Sequence, residues 1–283
     1  MADDYELLDA GGGRKCERFG AVTVVRPAPA AGGAPRLPPE TWAEADAEFV
    51  GRPAGGEWRV QRGLPEPWTC RWGARTYHLE ATPTGQVGWF PEQEPLRDHV
   101  GGLLSAAAAR TPDPQVLDLF AYTGGTTLAS LSAGAHVTWV DAARRAATWA
   151  KRNVEANALD AHRVRWIVDD VPKFVAREVR RGASYHGIAL DPPSFGRGPR
   201  GSVFEIDRDL GGLLGACAQL LADDAVFLLV STHSETWTMA DLDGRGRAVA
   251  GRRRTRSSRL DLALTAASGV RLPSGHAILW EFA

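Results

Sequence analysis

From about residue 91 onward the chain alternates short apolar runs with longer stretches of helical spacing. Gln115–Leu119 reads as a strand, Phe120–Gly125 as a tight turn, and Thr126–Ser132 as the first turns of a helix whose free N–H groups face that turn. The same pattern then repeats. Strands are predicted at His136–Val140, Val164–Val168, Gly187–Leu190 and Val226–Ser231, and helices near Leu96–Arg110, Ala142–Asn157, Pro172–Arg181 and Asp209–Leu221. Leu260–Leu264 and Ala277–Phe282, separated by a Gly/Pro turn region, read as a closing hairpin. Such alternation belongs to the α/β class, with a parallel sheet covered on both faces and a ligand at the carboxyl ends of its first strands.

The first ninety residues follow a different rhythm. Tyr5–Leu8 and Glu17–Val25 are β-like with a turn at Gly11, Gly12 and Gly13, and a Pro/Ala/Gly stretch from Pro27 to Pro39 reads as a loop. Thr41 is placed to cap a short helix, Trp42–Phe49, and Trp58–Arg62 and Cys70–Ala81 supply further strands. The expectation is a small α+β domain, β-β-α-β-β, over residues 1–90, followed by an α/β domain over 91–283.

The chemistry clusters where the predicted strands end. VLDLFAYTGG, residues 116–125, carries Asp118 at the end of an apolar strand and Gly124 and Gly125 in the turn, where a missing Cβ lets a ligand approach the backbone. Asp141 closes the second strand at the spacing from the turn that suits an acid accepting both ribose hydroxyls. Asp170 follows the third strand and precedes Pro172, so it fits two roles, the N-cap of a helix or a contact to an adenine amino group. Asp191 ends the fourth strand and opens DPPSF; two successive prolines turn the chain out of the sheet.

In this order, VLDLFAYTGG, Asp141, VDDV and DPPSF resemble the class I S-adenosylmethionine-dependent methyltransferases. The branch resembled is the one containing the bacterial large-subunit ribosomal RNA cytosine methyltransferases. GWFPEQEPLRDHV, Gly88–Val100, matches that branch's G-x-F-x-x-Q segment, and the similarity covers roughly residues 85–235. The resemblance implies a Rossmann-like, seven-stranded sheet in the order 3-2-1-4-5-7-6. It also implies a small preceding domain on the substrate side, and S-adenosylmethionine as cofactor with S-adenosylhomocysteine as product. By the same resemblance Asp118 lies near the cofactor's ammonium, Asp170 and the Val171 amide at the adenine, and Gln93, Phe120, Tyr122, Thr123, Gly124 and Gly125 around the cofactor loop. Phe120 and Tyr122 stand where most class I enzymes have glycines, and also read as packing residues. Pro192, Pro193, Ser194 and Phe195 correspond to the substrate-side motif of amino-group methyltransferases, with Phe195 one residue later than the stacking aromatic. Asp191 is the expected catalytic carboxylate, orienting or deprotonating a nucleophile.

Bulk composition changes this picture little. A net charge of −1 exerts no global pull on nucleic acid. The chain lacks an 18-residue apolar run, and MADDYELLDA is not signal-like, so a cytoplasmic protein away from membranes is expected. Three cysteines, Cys16, Cys70 and Cys217, share no metal-ligand spacing, and no metal site is expected. Basic residues gather at Arg197 and Arg200 after the prolines, in what reads as a flexible glycine-rich loop. A second group is Arg245, Arg247, Arg252, Arg253, Arg254, Arg256 and Arg259. Both groups fit either a phosphate-contacting rim or a solvated linker.

Cysteine decides the kind of acceptor. Methylating cytosine carbon 5 needs a thiolate added to carbon 6, and the resembled RNA enzymes carry that thiol just after the fifth strand. Here the segment is Ser231, Thr232, His233, Ser234, and His233 takes the cysteine's place, as a general base or as a histidine bonded to loop backbone. Cys217 shares a helical face with Leu213, Leu214, Leu220 and Leu221, a core pattern. Three functions follow: methylation of RNA at a nitrogen, oxygen or base position needing no cysteine, methylation of a small molecule, and cofactor and RNA binding without turnover. The resemblance and the arginine cluster favour the first; the second is favoured by the missing cysteine and by the missing RNA-binding domain that the resembled family often carries in front of the small domain.

Overall fold

A computed structural model describes residues 4–51, 55–198, 201–233, 237, 240–242, 244 and 255–282. The chain divides into two compact units, one formed by Met1–Glu94 with Leu262–Ser274 and the other by Pro95–Asp261 with Gly275–Ala283.

The first unit is richer in strands than the sequence suggests. It holds β1 (Tyr5–Gly11), β2 (Arg14–Phe19), β3 (Val22–Pro27), a short α1 (Pro39–Ala43), β4 (Ala47–Val50), β5 (Glu57–Val60), β6 (Trp68–Trp72) and β7 (Arg75–Leu79). The first five form one sheet in chain order, and β6 and β7 pair as a hairpin. The expected β-β-α-β-β is corrected in three places, the first being Cys70–Ala81, which is the β6–β7 hairpin turning at Gly73, φ 53. Glu17–Val25 is two strands, because Gly20 takes φ 64 and folds the run back on itself. The expected helix Trp42–Phe49 stops at Ala43, because Ala47 and Phe49 are buried while Glu48 and Val50 are half-exposed, a period of two that pairs β4 in parallel with β3. Inside this unit Glu17 is fully buried and accepts from Arg26 Nε at 2.7 Å, Tyr5 Oη at 2.9 Å and Lys15 Nζ at 3.0 Å.

The second unit has the expected alternation. Its elements are α2 (Glu94–Ala107), β8 (Gln115–Leu119), α3 (Gly125–Ser132), β9 (His136–Asp141), α4 (Arg144–Ala156), β10 (Val164–Val168), α5 (Val171–Arg181), β11 (Gly187–Leu190), β12 (Phe195–Arg197), β13 (Val203–Glu205), α6 (Ile206–Gln219), β14 (Phe227–Thr232), β15 (Thr255–Thr265) and β16 (Arg271–Phe282). The seven-stranded sheet runs β10-β9-β8-β11-β14-β16-β15, which is 3-2-1-4-5-7-6 counted along the sheet strands and bears out the expected Rossmann-like order. Its first five strands are parallel and β16 is antiparallel to β14. Leu117, Leu119, Ile188, Leu190, Leu228 and Val230 meet α5 and α6 in one buried cluster, so the carboxyl ends of β8, β11 and β14 emerge together from a packed core. Among the described residues no helix is long and apolar enough to cross a membrane.

Glu17 tests the interior of the first unit. Burial pushes its carboxyl up, but Arg26 and Lys15 outweigh burial and hold it at about 2, below its ordinary 4.5. Its stabilisation is therefore complete above pH 4.5 and fades as pH falls toward 2. Glu17→Gln leaves the Arg26 guanidinium buried without its charge partner and should cost about 3–5 kcal/mol in urea unfolding at pH 7. A cost below about 1 kcal/mol would mean that the pair is not load-carrying.

Candidate active site

The turn after β8 is built from an unusual backbone. Phe120, Tyr122 and Gly124 take φ 56, 46 and 83, so three alternate residues are left-handed and two of them carry aromatic side chains. The surrounding elements hold the turn at nearly every polar group. Ala121 N donates to Val140 O at 3.2 Å, Tyr122 N to Asp141 Oδ2 at 2.9 Å, and Gly124 N to Ala121 O at 2.8 Å. Trp139 Nε1 donates to Tyr122 O at 3.2 Å, and Asn153 Nδ2 to Thr123 O at 2.9 Å. The rings of Phe120 and Phe204 lie 5.0 Å apart and those of Tyr122 and Trp149 6.0 Å apart, so both side chains pack while their backbones bend as glycines would.

The acids surround this turn. Asp118, 4% exposed, accepts from Thr127 Oγ1 at 2.6 Å. Burial pushes its carboxyl up to about 7, against the pull of the Thr127 hydroxyl and the Arg97 charge. Asp141 accepts from Tyr122 N through one oxygen and from Ala143 N at 2.8 Å through the other, and burial raises it too. Asp170 is the N-cap of α5, accepting from Lys173 N at 3.0 Å, while Ser202 Oγ donates to its second oxygen at 2.5 Å. Val171 begins that helix with its side chain in the core, and Thr123 is buried in the turn. Gln93 ends the 3-10 turn Pro91–Gln93 of the first unit; it is buried, and its side-chain nitrogen has no hydrogen-bond partner among the described residues.

On the neighbouring strand Asp191 Oδ1 accepts from Ser231 Oγ at 2.7 Å, and its charge is felt by Asp118. Pro192 is buried while Pro193, Ser194 and Phe195 are exposed, Phe195 by 54%. Part of the expected glycine-rich loop is instead the antiparallel ribbon β12–β13. Gly196 and Phe204 pair on its inward side, whereas Phe195 and Val203 point to solvent. His233 follows β14 and is exposed. Arg200, the Arg197 side chain, Ser234 and Arg245, Arg247, Arg252, Arg253 and Arg254 lie outside the described residues, and Arg256 and Arg259 are exposed on β15. Cys16, Cys70 and Cys217 are free, fully buried, and each has its thiol pushed up to about 12, in every case chiefly by burial.

Sequence reading passed over Arg97. It lies on α2 beside Leu96, on a helix whose Val100, Leu104 and Ala107 are buried, and is itself only 9% exposed. A Cβ on Gly125 would fall 2.3 Å from its guanidinium carbon, so this glycine is required by the arginine lying against it. The available signal was a cation set inside an otherwise apolar helical row.

Comparisons with known proteins agree with this geometry. Residues 104–235 match a family described as S-adenosylmethionine-dependent methyltransferase. The crystal structure of the SAM-dependent methyltransferase from Agrobacterium tumefaciens is similar with a TM-score of 0.92 and 32% identity, covering 99% of this chain and 91% of that one. Ribosomal RNA large subunit methyltransferase K of Neisseria meningitidis is 33% identical over 158 residues, 55% of this chain and 42% of that protein. Ribosomal RNA large subunit methyltransferase I of Pseudoalteromonas translucida is 42% identical over 84 residues, 29% of this chain and 21% of that protein. The chain thus spans less than half the length of these two curated relatives.

Asp118 carries a measurable consequence. In the folded chain it keeps its proton between pH 3.8 and about 7, where the unfolded chain has released it, so its contribution to stability falls as pH rises through that window and stays low above it. At about 1.4 kcal/mol per tenfold change in proton affinity the loss is on the order of a few kcal/mol. Asp118→Asn removes it, so melting curves of the ligand-free protein should show the variant gaining on the wild type between pH 4 and pH 8. Parallel profiles would show that Asp118 is ionised throughout.

Proposed function

The chain belongs to the S-adenosylmethionine-dependent methyltransferases, and from that premise we propose that it transfers the methyl group of S-adenosylmethionine to RNA, at a position that needs no cysteine nucleophile. The observation that carries the reading is the adjacency of two carboxylates, Asp118 at the end of β8 and Asp191 just past the end of neighbouring β11. An acceptor held by Asp191 would then face a donor held by Asp118.

The residues fit the cofactor. At Gly124 and Gly125 the missing Cβ lets the left-handed turn approach Ala150 and Arg97 closely, and Asp118 is a buried carboxylate that an ammonium group would stabilise in its charged form. In this reading Asp141 takes the ribose hydroxyls, and Asp170 with the Val171 amide takes the adenine edge. When bound, the cofactor supplies an electrophilic methyl on a sulfonium. What remains for the chain is to align the nucleophile and accept its proton. Ser231 occupies one oxygen of Asp191, leaving the other for the acceptor's N–H or O–H, and His233 at the end of β14 is the second candidate base. Exposed Phe195, beside the prolines, offers a ring for a base to stack on. The buried, unreactive thiols argue against a covalent cysteine adduct. Free thiols also suit a reducing cytoplasm.

RNA as acceptor rests on the similarity to two ribosomal RNA enzymes over part of their length. A small-molecule acceptor is favoured by a different fact: a net charge of −1 gives the chain no global attraction for a polyanion. Incubation with methyl-labelled S-adenosylmethionine and either total RNA or a low-molecular-weight extract separates the two. Label is expected in RNA, and Asp191→Asn should lower turnover by about 10²–10⁴-fold with cofactor affinity unchanged. Label confined to the extract would transfer the reading to small molecules. Binding without label in either fraction would leave a cofactor-binding protein that does not turn over.

A further inference from the structure

The ribbon β12–β13 is too small to hold itself in place. Each of its strands has three residues, and a lone two-stranded hairpin is marginal in water, so its position is set by what fastens it. At one end Ile206 N donates to Ser194 O at 3.1 Å, and a Cβ on Gly196 would fall 3.1 Å from Pro193 Cγ, so the ribbon is seated on the DPPSF segment. Phe204 is buried on the inward side, its ring 5.0 Å from that of Phe120 in the turn after β8. The other end closes on Asp170. Gly198 N donates to Ser202 O at 2.8 Å, and Ser202 Oγ donates to Asp170 Oδ2 at 2.5 Å. A Cβ on Gly198 would fall 2.4 Å from Ser202 Oγ and 2.6 Å from Asp170 Oδ2, so a glycine is what lets the two strand ends converge on this carboxylate. The outward face carries the exposed side chains of Phe195 and Val203. One ribbon thus has the acid proposed for the donor's base on its inner side and the ring offered to the acceptor on its outer side.

We infer that Ser202 is a positioning residue that couples the two substrates: the donor's base on Asp170 fixes the ribbon through the Ser202 hydroxyl, and the ribbon fixes Phe195 for the acceptor. The inference rests on the methyltransferase reading above and adds to it a physical link between the donor side and the acceptor side. Asp170 has the capacity for both partners. Its Oδ1 accepts from Lys173 N and its Oδ2 from Ser202 Oγ, and a carboxylate offers about four lone-pair sites, which leaves room for an amino hydrogen of the base. A carboxylate held by that further donor has less freedom left to lose, so the Ser202 bond tightens and the far end of the ribbon closes with it. The order of events follows: the donor binds first, and the acceptor meets a ribbon already set.

The probe is S-adenosylhomocysteine, which carries the base and requires no turnover. Its addition to the wild type should slow hydrogen exchange at the Gly198 amide, which closes the far end of the ribbon, by about tenfold, a factor in the usual range for coupled sites. Ser202→Ala should still bind the probe but lose that slowing, and its dissociation constant by calorimetry should rise by a similar factor, because coupling is reciprocal. Ser202→Thr, which keeps the hydroxyl, should restore both. Gly198→Ala, which drives the ribbon off Asp170 with the hydroxyl retained, should reproduce the loss, with melting temperatures showing that the variants are folded. A serine that only braces the ribbon would, when removed, speed exchange by the same factor with and without the probe. That result, or no slowing in the wild type, overturns the inference. Should the wild type not bind the probe, the methyltransferase reading falls with it; binding without a response at Gly198 sinks only the role of Ser202.

Discussion

Everything at the proposed site depends on a turn that its own residues resist forming. A non-glycine residue held in a left-handed conformation costs on the order of 1–3 kcal/mol, and the turn after β8 contains two, Phe120 and Tyr122. The opposing contributions come from outside the turn. Asp141 on β9 receives the Tyr122 amide, Trp139 reaches the Tyr122 carbonyl, and Asn153 on α4 holds the Thr123 carbonyl. Packing of Phe120 on Phe204 and of Tyr122 on Trp149 then makes the aromatic rings part of the support. Glycines would remove the strain and also the two ring contacts, leaving a looser floor. The chain has exchanged conformational ease for rigidity in the segment that follows Asp118.

The sheet register explains why its acids are not equivalent. Leu119 pairs with Val140 on one side and with Leu190 on the other, so Asp141 and Asp191 stand one step beyond the last paired residue of β8. Asp118 is one step deeper, paired with Trp139 and Ala189 inside the ladder. Burial at that depth is the largest cause of the rise of the Asp118 carboxyl to about 7. A single-residue slip of β8 would exchange these environments and turn Leu119 into solvent, which is why the apolar run around Asp118 must be continuous.

This part of the fold was legible because each strand is a short apolar run closed by an acid and followed by a helix signal. Gln115–Leu119, Val164–Val168 and Gly187–Leu190 are the same strands in sequence and structure. The first unit was harder to read because its strands are only half-patterned. Ala47–Val50 follows a tryptophan and several helix-favouring residues, and only pairing with β3 makes it a strand, a tertiary preference that local propensity does not carry. The ribbon β12–β13 was hidden for a related reason, since glycines and arginines conceal a two-residue alternation that exists only across the pair. Arg97 escaped motif reading because it reaches the turn from α2, where only its place in an apolar helical row marks it.

The treatment of nucleophiles follows the same economy. Each of the three thiols is fully buried with its proton firmly held, so sulfur in this chain fills space and contributes no reactive group. At the end of β14, where a thiol would be needed for covalent attack on a pyrimidine, the chain has Ser231, Thr232 and His233, and Ser231 is committed to Asp191. That hydroxyl orients the carboxylate, and in the proposed reading the other oxygen accepts a proton from an already nucleophilic atom. In the proposed reading such an acceptor attacks a sulfonium methyl without prior activation by addition, and alignment between Asp118 and Asp191 would be the main demand on the protein. The rigid turn and the one-step difference in depth between those two acids both follow from the register of β8 within the parallel sheet.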